Sequence, residues 1–222
     1  NPGLLQGIPI SVKDMLPTKG IRTTKGSLLY KDSIPKNDSI VAERLRKAGA
    51  IILGKTNVPE FGLAGTTENR LGDACRNPWD TDTTVGGSSG GAASAMGAGL
   101  CSLATGGDGA GSIRVPAGFC GVYGMKPTQW QVPAGSNNPT NNSILNLFQQ
   151  LGPLSRTVKD AALMLQVMAG HDDRDPISLR GSGPDLLSYL EDGIAGLKIG
   201  WSPNLGFAAI DPEVAKITYK AA

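Results

Sequence analysis

Between Val85 and Thr128 the chain reads VGGSSGGAASAMGAGLCSLATGGDGAGSIRVPAGFCGVYGMKPT. Glycine is crowded there into two serine-bearing clusters, GGSSGG at 86–91 and GGDGAGS at 106–112. Such a stretch is hard to place in an ordinary core. Glycine has no side chain to bury, and its freedom at positive φ lets backbone amides turn inward toward an anion or a developing oxyanion. A single glycine cluster usually marks a plain turn. Two in one short segment point to a site.

The surrounding pattern alternates strand and helix. Ile8–Val12 is almost wholly apolar, as suits a strand buried on both faces, with Lys13 and Asp14 at its carboxyl end. Asp38 or Ser39 can cap a helix carrying Val41, Leu45 and Ala48 on one face, closed by Gly49. Ala50–Leu53 reads as a short buried strand, Ser89–Gly99 as a close-packed alanine-rich helix, and Leu103–Thr105 as a strand returning to the second cluster. Val158, Ala161, Ala162 and Leu165 form a helical stripe ended by Gly170; Leu197–Trp201 reads as a further strand, and Asp211–Ala222 as a helix start. The polar tract SNNPTNNS at 136–143 is a loop or pocket rim, and its sequon at Asn141 has little weight without a secretory context. This order gives an α/β fold: α/β/α layers around a mixed, mainly parallel sheet with helices on both faces.

Three enzyme signatures match literally and fail on context. Gly49–Thr56 fits a phosphate-loop pattern, but its intervening residues are apolar and strand-like and a helix precedes them, whereas a phosphate loop runs strand, exposed loop, helix. Ser33–Lys36 fits SxxK, yet Pro35 argues against the helical turn that would stack Ser on Lys. Gly86–Gly90 fits the GxSxG elbow, with Ser88 as nucleophile, but that motif follows a buried strand and needs a histidine base. The sole histidine, His171, sits in the polar turn GHDDRDP. An α/β-hydrolase using Ser88 remains an alternative on these residues alone.

The pieces GIPISVKD at 7–14, AGAIILGKTNVPEF at 48–61, NPWDTDTTVGGSSGGAASAMGAG at 77–99, GGDGAGSIRVPAGFCGVYGMKPT at 106–128 and LGPLSRTVKDAALML at 151–165 together resemble the amidase signature hydrolases. The resemblance implies a Ser-cisSer-Lys triad falling on Ser112, Ser88 and Lys13, with a cis peptide before Ser88. It implies a hydrolase that cleaves a carboxylic amide through a serine acyl-enzyme and releases ammonia or an amine, with ester or carbamate cleavage also open. In that scheme neutral Lys13 takes a proton from Ser88, Ser88 takes one from Ser112, and the amides of Gly109, Ala110, Gly111 and Ser112 form the oxyanion hole. Asp108 and Arg114 are expected to hold the nucleophile loop, and Ser89 to support the site or cap the next helix. Pocket walls are expected at Glu60–Thr67, with Gly62 and Leu63 touching substrate, and at Gln129–Asn146. The family's usual DTGGS here reads Asp108-Gly109-Ala110-Gly111-Ser112, and Gln129-Trp130-Gln131 replaces the glycine that commonly follows KPT. The family also contains an amidotransferase subunit that acts on misacylated tRNA, which stands as a second alternative.

Composition sets outer bounds. With 40% hydrophobic and 18% charged residues, 222 residues can bury one substantial core. A net charge of +2 without a basic run gives no reason to expect nucleic acid or an anionic membrane, and no apolar stretch is long enough to span one. Cys75, Cys101 and Cys120 lack the spacing of a disulfide framework or a zinc site, which fits a reducing cytoplasm. No metal or other cofactor is expected; the expected partner is a small-molecule amide, and a homodimer stays open. The chain opens just before a strand and stops within a helix start, and the resembling family runs to roughly twice this length. Residues 1–222 are therefore expected to be the N-terminal portion of one amidase signature domain, including its catalytic core and without its C-terminal half.

Overall fold

The structure is a computed structural model that describes residues 2–135 and 147–222. The tract at 136–143, with its sequon, therefore lies outside the described residues. The chain divides into two compact units, Asn1–Tyr189 and Leu190–Ala222.

The first unit is built on a five-stranded mixed sheet in the order β2-β1-β3-β5-β4, formed by β1 (Pro9–Lys13), β2 (Ile51–Thr56), β3 (Leu103–Asp108), β4 (Tyr123–Gly124) and β5 (Gln150–Ser155). β1 runs parallel to both β2 and β3, while β5 is antiparallel to β3 and β4. Strand geometry sends alternate side chains to opposite faces, and each face has its own core. On one face Ile10, Val12, Leu103 and Leu151 pack against Val41 and Leu45 of α1 (Ile40–Lys47) and Met164, Leu165 and Met168 of α4 (Val158–Met168). On the other, Ala104 and Leu154 pack against Ala92, Ala93 and Met96 of α2 (Gly90–Gly97) and Ala117 and Cys120 of α3 (Arg114–Cys120). This is the expected α/β/α layering.

Local signals explain the helix ends. Ser39, not Asp38, caps α1 by accepting from the Ala42 N–H, and Thr157 caps α4 by accepting from the Asp160 N–H. Arg44 of α1 donates to the carbonyls of Met168, Ala169, Gly170 and His171, so a cation from one helix satisfies the open carboxyl end of the other.

Three sequence expectations are corrected. β2 is longer than Ala50–Leu53 and is not buried: it lies at the sheet edge, pairs on one side only, and leaves Ile51 and Leu53 half exposed. Val158 stands at the first position of α4 and is 53% exposed; the inner stripe is carried by Met164, Leu165 and Met168 below Ala161 and Ala162. Leu197–Trp201 is irregular and exposed, because the second unit offers no described strand with which its backbone could pair. That unit's regular element is α5 (Pro212–Ala221), the helix expected to start in this stretch, and Asp211 caps it. β5 and α3 are elements that the sequence pattern did not announce.

α2 lies close against the β2 exit because it begins with glycine. A Cβ on Gly91 would stand 2.3 Å from the Asn57 backbone nitrogen. Gly→Ala within an exposed helix normally stabilises by roughly 1 kcal/mol. Gly91→Ala is expected to reverse that sign and destabilise by about 1–3 kcal/mol through overpacking, read as a lower urea midpoint with an unchanged slope.

Candidate active site

Because β2, β1 and β3 are parallel, their carboxyl ends emerge at one edge of the sheet, where open α/β sheets place their ligand crevices. β1 delivers Lys13 there and β3 delivers Gly107 and Asp108. The first glycine cluster enters α2 immediately above them. Its anchor is the Ser89 N–H donating to the Ser112 carbonyl at 3.1 Å, which ties the two clusters together. The Gly87–Ser88 peptide is cis.

A lysine at a strand end ordinarily faces solvent. Lys13 is instead 1% exposed, and its Nζ lies 2.9 Å from Ser88 Oγ, 2.8 Å from Ser89 Oγ and 3.2 Å from the Gly107 carbonyl. Its own backbone N–H is held by Thr105 Oγ1 at 2.8 Å. Burial lowers the Lys13 pKa to about 7, against a smaller upward pull from the Asp108 carboxylate. Among the described residues the other lysine so affected is Lys55, lowered by burial to about 8 against Asp14; it donates to the Leu16 carbonyl and Thr23 Oγ1, away from the serines.

Asp108 organises the second cluster. Fully buried, it accepts from the N–H groups of Gly111, Ile113 and Arg114 and from two nitrogens of the Arg114 guanidinium at 3.0 Å each. Burial alone would raise its pKa; Arg114 and those three amides hold it down at about 2. The Gly111 amide, expected in the oxyanion set, is thereby corrected: it is committed to Asp108 at 2.7 Å. Gly109 and Ala110 are exposed, and the amides of Gly109, Ala110 and Ser112 meet no acceptor among the described residues.

Lys13, Ser88 and Ser112 open onto one cleft of about 450 Å³, also lined by Phe61–Gly65, Gly109, Ala110, Val115, Phe148 and Gln149. Gly62 and Leu63 line it as expected. Gly62 has φ +72°, and a Cβ there would stand 3.3 Å from Ser88 Oγ. The described part of Gln129–Asn146 does not line the cleft; Phe148 and Gln149 do, together with Met15 and Val115. No local signal in the sequence marks these four, because each turns toward the cleft from an element whose course the pattern does not fix. His171 lies elsewhere, with its ring between Ser178 Oγ at 2.9 Å and Asp173 Oδ1 at 3.0 Å.

Among the described residues no group of three or more His, Cys, Asp and Glu could hold a metal ion, and no helix is long and apolar enough to cross a membrane.

The lowered pKa has a consequence for stability. Below about pH 7 Lys13 is charged in both states and the folded protein bears the full cost of burial; between about 7 and 10.5 only the unfolded chain holds the proton, so stability rises with pH. Lys13→Met removes that dependence. The stability of the parent relative to Lys13→Met is expected to climb across this window and then flatten, whatever the offset between them, as measured by urea unfolding at stepped pH.

The sequence model of the family Amidase matches residues 1–222. The chain is 45% identical over 216 residues to a glutamyl-tRNA(Gln) amidotransferase subunit of Carboxydothermus hydrogenoformans, covering 97% of this chain and 44% of that protein. It is 42% identical over 222 residues to an acylamidase of Rhodococcus erythropolis, covering 99% and 45%. Among solved structures, a bacterial aryl acylamidase of the amidase signature enzymes superposes with a TM-score of 0.90 at 36% identity, covering 100% of this chain and 45% of that one. A 6-aminohexanoate cyclic dimer hydrolase superposes with a TM-score of 0.88 at 34% identity, covering 99% and 46%. The chain thus spans less than half the length of these relatives.

Proposed function

The chain belongs to the Amidase family, the amidase signature enzymes, and from that premise we propose that it hydrolyses a carboxylic amide through an acyl-enzyme on Ser112, with Ser88 and Lys13 relaying the proton. Residues 1–222 supply the catalytic core in this reading. Its substrate is a small-molecule amide, and the reaction needs no cofactor.

The observation that carries the proposal is the set of groups around Lys13 Nζ. A neutral amine has two N–H bonds and one lone pair. The Gly107 carbonyl can only accept. Ser89 Oγ sits 3.3 Å from that same carbonyl, to which it donates its hydrogen, so it too must accept from Lys13. Both N–H bonds of the neutral amine are then used, and its lone pair is left for the Ser88 hydroxyl at 2.9 Å. A lysine near neutrality in pKa can hold that state.

The chemistry follows in order. Ser88 gives its proton to Lys13 and takes one from Ser112 as Ser112 Oγ attacks the carbonyl carbon. The amides of Gly109, Ala110 and Ser112 receive the developing oxyanion; single donors of this kind are commonly worth about 3–4 kcal/mol. The C–N bond breaks as the proton returns through Ser88 to the leaving nitrogen. Water then attacks the ester, and the same relay regenerates Ser112.

Two other readings were open in the sequence. An α/β-hydrolase using Ser88 and a histidine base draws no support from a His171 engaged by Ser178 and Asp173. A role within an amidotransferase complex draws support from 45% identity to such a component, and stable co-purification with partner proteins would establish it.

Ser112→Ala is expected to abolish covalent labelling by a fluorophosphonate while leaving thermal unfolding nearly unchanged; a label on Ser88 would transfer the nucleophile to that residue. The pH dependence tests the base. Activity should rise with pH through about 7, the value to which Lys13 is lowered, and level off above it. Lys13→Arg keeps the charge but cannot deprotonate in this range, so it should lose about 10²–10⁴-fold in kcat/KM, nearly as much as Lys13→Ala. Substantial activity of Lys13→Arg with an unchanged pH profile would rule out proton transfer through Lys13.

A further inference from the structure

The cleft has two ends that the proposed proton path makes chemically distinct. Ser112 attacks the carbonyl beside the Gly109–Ser112 loop, so the carbonyl oxygen lies toward that loop. Ser88 returns the proton to the leaving nitrogen, so the amine portion must lie within hydrogen-bond reach of Ser88 Oγ. What surrounds Ser88 therefore describes the leaving group. Gly62 faces it across the cleft: a Cβ there would stand 3.3 Å from Ser88 Oγ and 3.8 Å from Met15 Sδ. Beside Gly62 stand Phe61 and Leu63, 36% and 76% exposed, on the same cleft wall.

A large apolar side chain left open beside a reactive group is informative, because exposed apolar area clustered in a concave site commonly marks the place a ligand covers. Leu63 is fixed there by more than chance. The turn that presents it is pinned by the Phe61 N–H donating to the Lys25 carbonyl at 2.8 Å and by the Ser27 hydroxyl donating to Glu60 at 2.6 Å, while the Phe61 ring meets Tyr30 edge-on at 6.2 Å. Phe61 holds φ at +52°, a region unusual for a non-glycine residue. The charged side chain lining the cleft, among the described residues, is Lys13 alone. It is engaged by the two serines and Gly107.

We infer that the leaving-group end, formed by Met15, Phe61, Gly62 and Leu63, selects secondary amides whose nitrogen carries an apolar alkyl or aryl substituent, over primary amides that release ammonia. This rests on the amide hydrolase reading and on the proton path through Ser88. An ammonia leaving group would use the hydrogen bond to Ser88 and leave the apolar wall in water. An alkyl or aryl amine covers the wall in the complex and in the transition state alike. Free glutamine, with an α-ammonium and an α-carboxylate, finds no charged partner on the described walls.

N-hexylacetamide and N-methylacetamide test what the apolar wall contributes, and glutamine stands for the primary amides; the two leaving amines are of closely similar basicity and the acyl group of the pair is the same. The purified protein is expected to show a kcat/KM at least tenfold higher for the hexyl amide, since even one methylene in an apolar pocket is worth about tenfold or more. In Leu63→Ser, an exposed position whose change leaves thermal unfolding in place, the hexyl-to-methyl ratio is expected to fall toward one. Turnover of both amides with a parent ratio near one, or a ratio that Leu63→Ser does not move, overturns the leaving-group assignment and leaves the hydrolase reading standing. Faster turnover of glutamine than of either amide does the same. Labelling of Ser112 by a fluorophosphonate without turnover of either amide also overturns the assignment alone. Absence of both labelling and turnover overturns the hydrolase reading, and the assignment with it.

Discussion

The burial of one ammonium group organises the site. Lys13 is taken out of water at the end of β1, and among the described residues three hydrogen-bonding atoms, from Ser88, Ser89 and Gly107, compensate it. Desolvation of a cation that is not matched by a carboxylate in direct contact is expensive, and the group responds by giving up its proton more readily. Asp108 is near enough to pull the other way, yet its carboxylate is spent on Arg114 and three backbone amides. Had Asp108 faced Lys13 directly, the pair would have been a buried salt bridge and Lys13 a fixed cation. The arrangement keeps Asp108, at the end of β3, turned to the loop that follows it, and leaves Lys13, at the end of β1, to the serines.

The two faces of the sheet divide the work. Ile10 and Val12 turn toward α1 and α4 and join a core of leucine, valine and methionine. Ser11 and Lys13, one residue out of phase, turn the other way, toward a layer in which alanine and glycine dominate. Small residues let α2 lie close against the carboxyl ends of the strands, with Gly91 almost touching the Asn57 backbone. That closeness brings Ser88 and Ser89 within reach of the Lys13 amine. A bulkier helix would stand off and leave Lys13 to water.

How much of this the sequence disclosed depends on whether the signal was local. The glycine clusters, the apolar run of β1, the Ser39 cap and the helix start at Asp211 are local, and each is where the pattern placed it. The family resemblance brought Lys13, Ser88 and Ser112 forward as a set, and the fold does gather all three on one cleft. Other features depend on distant partners. α3 forms through Pro116 and Gly118 because Asp108 gathers the amides at its start. β5 carries Gly152 and Pro153 and is a strand because β3 and β4 bracket it. Leu197–Trp201 shows the converse, an apolar run that finds no described strand to pair with. The Gly111 amide was misassigned for the same reason: glycine beside serine suggests an oxyanion donor, and only the fold reveals that Asp108 already holds it.

The cleft also separates what must be rigid from what can vary. Lys13, Ser88 and Ser89 are buried groups whose hydrogen bonds can be counted atom by atom, and altering any one of them changes which atom Lys13 can serve. The cleft walls carry Phe61, Leu63 and Phe148, which are open to solvent. A substitution there removes apolar contact without uncovering a buried charge or orphaning a hydrogen bond, so in the proposed hydrolase its cost falls on substrate choice and hardly on folding. In the proposed hydrolase, the physical asymmetry between a desolvated base and an exposed apolar rim would let one buried constellation serve amides of different shape.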